Sequence, residues 1–378
     1  MRSPVLCCLC LLLAATASVS GKEITQAPNE EPQFVGATGC RSSSCHGGAG
    51  EKRSQFTTWA RQDFHARAGS ILLDARSARI AEAVAVAEPR ASVRCTVCHS
   101  PLQAVAKTRL TSSVQHEEGV SCETCHGASS SWLRGHTRTD WTQENRINAG
   151  MRDLRNLYAR ANACVACHQT IDTDLIAAGH PKLVFELDRQ SVDEPKHWHD
   201  EPGIGAPAWL TGQAVALREA TWDQRNHFGG AADSEQTFRA LVWLLARVTR
   251  SDPKLPEIFE PTSSNLGALQ DRADLLARNA AQWKPGQESI LLILRTLAGT
   301  QSEFTGAEAL SAGAFFYRAR RVALALERLN LALATPLSLE RELASLREDV
   351  RLQESFSPSR FAAHLSELNV ALEKSASH

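Results

Sequence analysis

Eight of the chain's eleven cysteines stand in four pairs, and in every pair the second cysteine is followed at once by histidine. Three pairs are compact: Cys95-Thr-Val-Cys98-His99, Cys122-Glu-Thr-Cys125-His126 and Cys164-Val-Ala-Cys167-His168. The fourth is stretched: Cys40-Arg-Ser-Ser-Ser-Cys45-His46. Histidine makes up 13 of 378 residues, so four such placements arise by chance with a probability on the order of one in a million. Two cysteines two residues apart with a trailing histidine form the attachment signature of c-type haem. Each thiol adds to a vinyl group, and the histidine becomes the proximal iron ligand. A zinc ribbon built on Cys95, Cys98, Cys122 and Cys125 leaves the attached histidines unexplained. Disulfides suit an exported chain but account for them no better. The wider first loop lets both sulfurs reach a ring if it bulges away, and Ser42 to Ser44 are small enough for that. The reading is four covalent haems, with His46, His99, His126 and His168 as proximal ligands.

The rest of the chain falls around this array. Residues 1–20 carry Arg2, an apolar run from Val5 to Ala17 and then small residues, the pattern of a secretory leader too short to span a membrane. No lipobox surrounds Cys10, and no other apolar run reaches membrane-span length. Export fits haem attachment, so the expected location is periplasmic or secreted. Residues 21–33 read as a polar, flexible linker. Residues 34–206 hold every motif and are short of aromatics and aliphatic runs, as expected if porphyrins supply the core. Short helices are expected at 53–68 and 71–86 and before each motif, with loops elsewhere. Residues 207–378 lack cysteine and read as an all-α module. Its helices are expected at 209–225, 234–250, 266–283, 288–297, 307–333, 338–352 and 357–374, with Leu241, Leu244, Leu245 and Val248 on one apolar stripe. Ser357-Pro358 forms a helix start. The fold class is mainly α: a multihaem domain of short helices and loops, followed by the helical module.

Lysine plus arginine number 41 against 42 acidic residues. The near balance offers no basic face for nucleic acid and no charged block for a membrane surface. Some arginines near the motifs are expected to pair with haem propionates, because the guanidinium fork suits carboxylates. With the leader removed, Met151 is the only thioether available, so the irons are mainly His/His or His/open, which favours low potentials. Candidate distal histidines are His65, His116, His136, His180, His197 and His199.

Four stretches resemble the tetrahaem cytochrome c-554 family and its multihaem relatives, carriers that accept electrons from hydroxylamine oxidation. The first motif is followed by Trp59 and by Asp63-Phe64-His65-Ala66-Arg67-Ala68. A short second motif comes next. Gly119-Val-Ser-Cys122-Glu-Thr-Cys125-His126-Gly127 is followed by Arg134-Gly135-His136, the closest match. The Cys164 motif is last. The resemblance covers residues 34 to about 200. It implies crossed ligation, with His65 serving the iron of His126, His136 that of His168, and a later histidine reaching back to His46. His180 is the first choice for that last role, with His197 and His199 as alternatives. It also implies that the second iron, at His99, can lack a distal protein ligand; His116 is the alternative occupant. Two departures stand out, the stretched first motif and the helical module.

These readings point to an electron carrier that exchanges electrons with redox protein partners through closely packed haems, with no catalytic residue. A second possibility is an enzyme that reduces nitric oxide, nitrite or hydroxylamine at an open second haem, with His116, Glu117 and Glu118 as proton donors. A third makes the helical module a dock into a larger redox assembly.

Overall fold

In an α-helix, residues i, i+3 and i+4 lie on one face, so Cys-x-x-Cys-His presents two thiols and an imidazole on the same side. A computed structural model of the chain describes residues 31–115, 117–169, 171–198, 205–226, 232–305 and 311–375. It places all three compact motifs on helices of this kind: Val93–His99, Cys122–His126 and Leu157–His168. The expected leader, residues 21–30 of the linker, and the candidates His116 and His199 lie outside the described residues. Asn156 caps the longest motif helix, accepting from the backbone N–H groups of Tyr158 (3.0 Å) and Ala159 (3.2 Å). Such a cap contributes about 1 kcal/mol and fixes where the helix starts. Cys164, Cys167 and His168 fall in its last two turns.

The stretched motif is built differently. A 3₁₀ turn, Ala37–Cys40, ends at the first cysteine. Cys45 N–H then donates to Ser42 O (2.9 Å), and His46 N–H reaches back to Cys40 O (3.3 Å). The two extra residues are absorbed in a closed loop, and His46 returns beside Cys40.

The expected helix at 53–68 is broken at Asp63. That residue is extended (φ −84°, ψ 129°), and its carboxylate accepts from His65 N–H (2.9 Å). The result is a helix Gln55–Gln62, a 3₁₀ turn Phe64–Arg67 and a short helix Ala68–Ile71. A side-chain acceptor competing for backbone N–H groups is the usual reason a short polar residue stops a helix. The second expected helix shortens to Ala75–Ala83. Among the described residues the only β pairing is an isolated bridge between Phe34 and Leu110.

The C-terminal helices match their sequence periodicity. They are Gly205–Asn226, Ala232–Ser251, Leu266–Ala280, Gln287–Ala298, Ala312–Leu331, Glu340–Asp349 and Pro358–Ser375. Leu241, Leu244, Leu245 and Val248 are fully buried, as their stripe predicts. Pro358 opens the last helix, with Ser357 Oγ accepting from Arg360 N–H at 3.4 Å. Each buried leucine removes roughly 2 kcal/mol worth of apolar surface from water, so this half has ample means to fold.

Residues from Pro32 onward pack as one unit. The first long helix, Gly205–Asn226, spans the sequence position where a division at residues 206 and 207 is expected. It packs against the motif helix Leu157–His168, against Leu187–Asp193, and against Ala232–Ser251 and Leu266–Ala280. The main apolar core runs across that position. From residues 34–206 it takes Ala161, Val165, Phe185, Leu187 and Ala206; the remainder comes from the C-terminal half.

Candidate metal centres

Each motif histidine faces a different histidine from outside the motifs. His46 lies 6.1 Å from His136, ring centre to ring centre, with planes at 17°. His99 lies 6.2 Å from His180 at 75°. His126 lies 6.4 Å from His197 at 68°. His168 lies 6.0 Å from His65 at 84°. Two imidazoles sharing one metal ion through bonds of about 2 Å have ring centres about 6 Å apart.

In five of the eight rings the second nitrogen is held at 3.1 Å or less. His46 Nδ1 meets Gln55 Oε1 (3.0 Å), His99 Nδ1 meets Ala68 O (3.1 Å), and His136 Nδ1 meets Leu133 O (2.6 Å). His180 Nδ1 meets Pro181 O (2.9 Å), and His65 Nδ1 meets the Asp63 carboxylate (3.0 Å). A hydrogen bond at Nδ1 fixes the tautomer and leaves Nε2 free to ligate, the arrangement that metal-bound histidines adopt. Burial pushes the pKa of His99, His136, His168 and His197 down, and His126 falls to about 4 through burial and the neighbouring His197 and His46 rings. Burial thus favours the neutral ring, the form that ligates a metal. His65 is the exception: Asp63 raises its pKa.

The crossed pattern differs from the one that the resemblance implies. His65 faces His168 rather than His126, and His136 faces His46 rather than His168. His180 faces His99 rather than His46, and His197 takes the place beside His126. The physical reason lies in the turn at Asp63 and in how the segments close. Val120 N–H donates to His65 O (2.9 Å), and Trp59 Nε1–H donates to Val120 O (3.0 Å). Gly119 packs so closely that a Cβ there would sit 2.4 Å from His65 O. Residues 59–65 are thus pinned along the lead-in to the third motif, which turns His65 toward the fourth. Glu117 pairs with Arg90 (3.2 Å), and Glu118 accepts from Ala37 N–H (2.6 Å) and Gln115 N–H (3.0 Å). Two of the three expected proton donors therefore have structural partners, and His116 lies outside the described residues.

The Cys40 thiol lies against that of Cys122, and Cys98 against Cys167. The Leu157–His168 helix touches both Cys122–His126 and Val93–His99. Together these contacts order the motifs as first, third, fourth, second.

Two residues escaped the sequence reading. Glu123, between the cysteines of the third motif, is 1% exposed. Its carboxylate accepts from Val35 N–H (2.9 Å), Gly36 N–H (2.7 Å) and Ser129 N–H (2.7 Å), tying the segment that leads to Cys40 onto the third motif. Asp63 holds His65; its spacing of two from that histidine was the available signal.

The site geometry fits c-type haem. The thiols and imidazole of each compact motif share a helix face, and four further imidazoles stand opposite. The motif half adds only five residues to the main apolar core, as expected where flat apolar cofactors would fill the space. Residues 39–127 match the family model described as cytochrome c554 and c-prime. No curated protein and no solved structure matches the chain. A match to that family over these residues is consistent with covalent c-type haem iron and electron transfer, and no helix among the described residues is long and apolar enough to cross a membrane.

Proposed function

We propose that this c-type cytochrome is an exported tetrahaem electron carrier in which every iron is held between two histidines. The haems would attach at Cys40 and Cys45, Cys95 and Cys98, Cys122 and Cys125, and Cys164 and Cys167. The axial pairs would be His46 with His136, His99 with His180, His126 with His197, and His168 with His65. One observation carries the reading: each motif histidine has its own histidine partner at 6.0 to 6.4 Å. When bound, haem iron supplies one-electron exchange at a potential set by its axial ligands and their hydrogen bonds. The protein's part is to hold those ligands rigid, so that little rearranges between oxidation states. The contact order of the motifs makes the first and second the two ends of the array, where redox protein partners would exchange electrons. The apolar run Val5–Ala17 supports export to the periplasm.

An enzyme working at an open second iron is disfavoured by the His180 ring beside His99. The test is the full-length protein produced with a cytochrome c maturation system. Mass spectrometry after acid washing should give four covalent haems, and the ferrous protein should not bind carbon monoxide readily. Three haems would remove the stretched motif from the set; none would end the proposal.

A further inference from the structure

Between His180 and His197 the chain leaves the motif region and enters the core of the C-terminal helices. Phe185 is 1% exposed and Leu187 fully buried, both within that core. Leu187 sits against Gly212 of the Gly205–Asn226 helix so closely that a Cβ on Gly212 would be 2.8 Å from Leu187 Cβ. The charged residues flanking these anchors each find a partner on a C-terminal helix. Lys182 pairs with Asp233, Glu186 lies 4.0 Å from Arg321, and Asp188 accepts from Arg328 Nε. Arg321 is itself buried and donates to Gln213 Oε1 at 2.7 Å. Burial strips water from the Glu186–Arg321 and Asp188–Arg328 pairs, so breaking one leaves a charge without solvent or partner.

We infer that the C-terminal helices act as a clamp on residues 182–188, positioning His180 and His197 opposite His99 and His126. The inference rests on the paired-histidine reading above. His180 lies two residues before Lys182, and His197 nine after Asp188. Fixing the segment between them shortens the reach of both rings and lowers the entropy lost when they take up their places. On the other side, Arg76 donates to Gly179 O at 2.7 Å, so the His180 turn is held from both directions. His65 and His136 lie outside this segment, in the motif region upstream of it. The helical half therefore acts on two of the four irons, through positioning residues that touch no haem ligand themselves: Phe185, Leu187, Gly212, Asp188 and Arg328.

The test uses the full-length haem-loaded protein and reads spin state and carbon monoxide binding. Gly212→Val should push Leu187 away and turn two of the four ferric haems high-spin and reactive to carbon monoxide in the ferrous state, with four haems still attached. Asp188→Ala, a milder change, should raise the rate of carbon monoxide binding at two haems by about tenfold, the usual scale for losing a charge-assisted bond. Asp188→Glu should restore it. Leu365→Ala, which weakens the core on the last helix, should lower thermal stability and leave all four haems low-spin. The inference is overturned if Asp188→Ala binds carbon monoxide no faster than wild type, or if Gly212→Val folds with every haem low-spin. It is also overturned if Leu365→Ala opens the same two haems, because general loosening then explains the effect. A wild-type protein already carrying a high-spin haem would instead break the paired-histidine reading on which the clamp rests.

Discussion

The imidazole of His180 lies 6.2 Å from that of His99, with the ring planes at 75°. Gly179, at φ 102°, takes the left-handed conformation that turns the chain before it, and His180 Nδ1 is bonded to Pro181 O. The second motif therefore has a candidate distal ligand set in a rigid turn. His180→Ala should convert one haem of an otherwise low-spin protein to a high-spin form that binds carbon monoxide, with the haem count unchanged. Optical titration checks it. An unchanged spectrum would remove His180 from the ligand set.

His65 differs from the other distal candidates in having a buried carboxylate, Asp63, on Nδ1. A charged acceptor makes the imidazole a stronger electron donor and favours the ferric iron. Asp63→Asn should raise the potential of one haem by roughly 40–90 mV, the one-electron equivalent of the 1–2 kcal/mol such a bond carries. Spectroelectrochemical titration would show one of four steps moving upward. A downward move would contradict the assignment.

Glu123 is the link between the first and third motifs. Glu123→Ala leaves three backbone N–H groups without an acceptor, two of them buried, at a cost of at least about 2 kcal/mol. The segment before Cys40 should loosen, and the mass of the acid-washed protein should show a substantial three-haem fraction. A full complement of four would mean that the segment holds its place without the carboxylate.

These cases show what the sequence carries and what it does not. The cysteine–histidine spacing is local, so three motif helices and all four proximal candidates are legible from it. The C-terminal helices are legible because one apolar stripe per helix is enough to define each. The partner of each motif histidine is not legible, because it depends on where distant segments cross. His65 turns toward His168 through backbone contacts at Gly119 and Val120, which no spacing encodes. The anchoring of 182–188 is equally hidden. Two apolar residues, Phe185 and Leu187, are too few to mark a core segment, and the glycine that receives them is 25 residues further on.

The joint between the fourth motif and the helical half also has a pH signature. Burial alone would raise the Asp274 carboxyl, but hydrogen bonds from Tyr158, Arg218 and Arg278 outweigh it and hold its pKa below the usual 3.8. A depressed carboxylate stabilises the fold above its unfolded pKa, and that stability is lost as pH falls through the folded value. Asp274→Asn should cost about 1–3 kcal/mol at neutral pH. It should also flatten the fall in melting temperature below about pH 4. A variant with wild-type stability at pH 7 would show that the network contributes nothing.

Whether four irons each sit between two histidines is read from the electron spin resonance spectrum of the fully ferric protein. Low-spin signals from all four haems are expected. One, from the nearly parallel His46 and His136 rings at 17°, should be rhombic, and three, from planes at 68° to 84°, should show the broad, high-g form of crossed imidazoles. A high-spin signal accounting for one whole haem in the untreated protein would contradict the pairing.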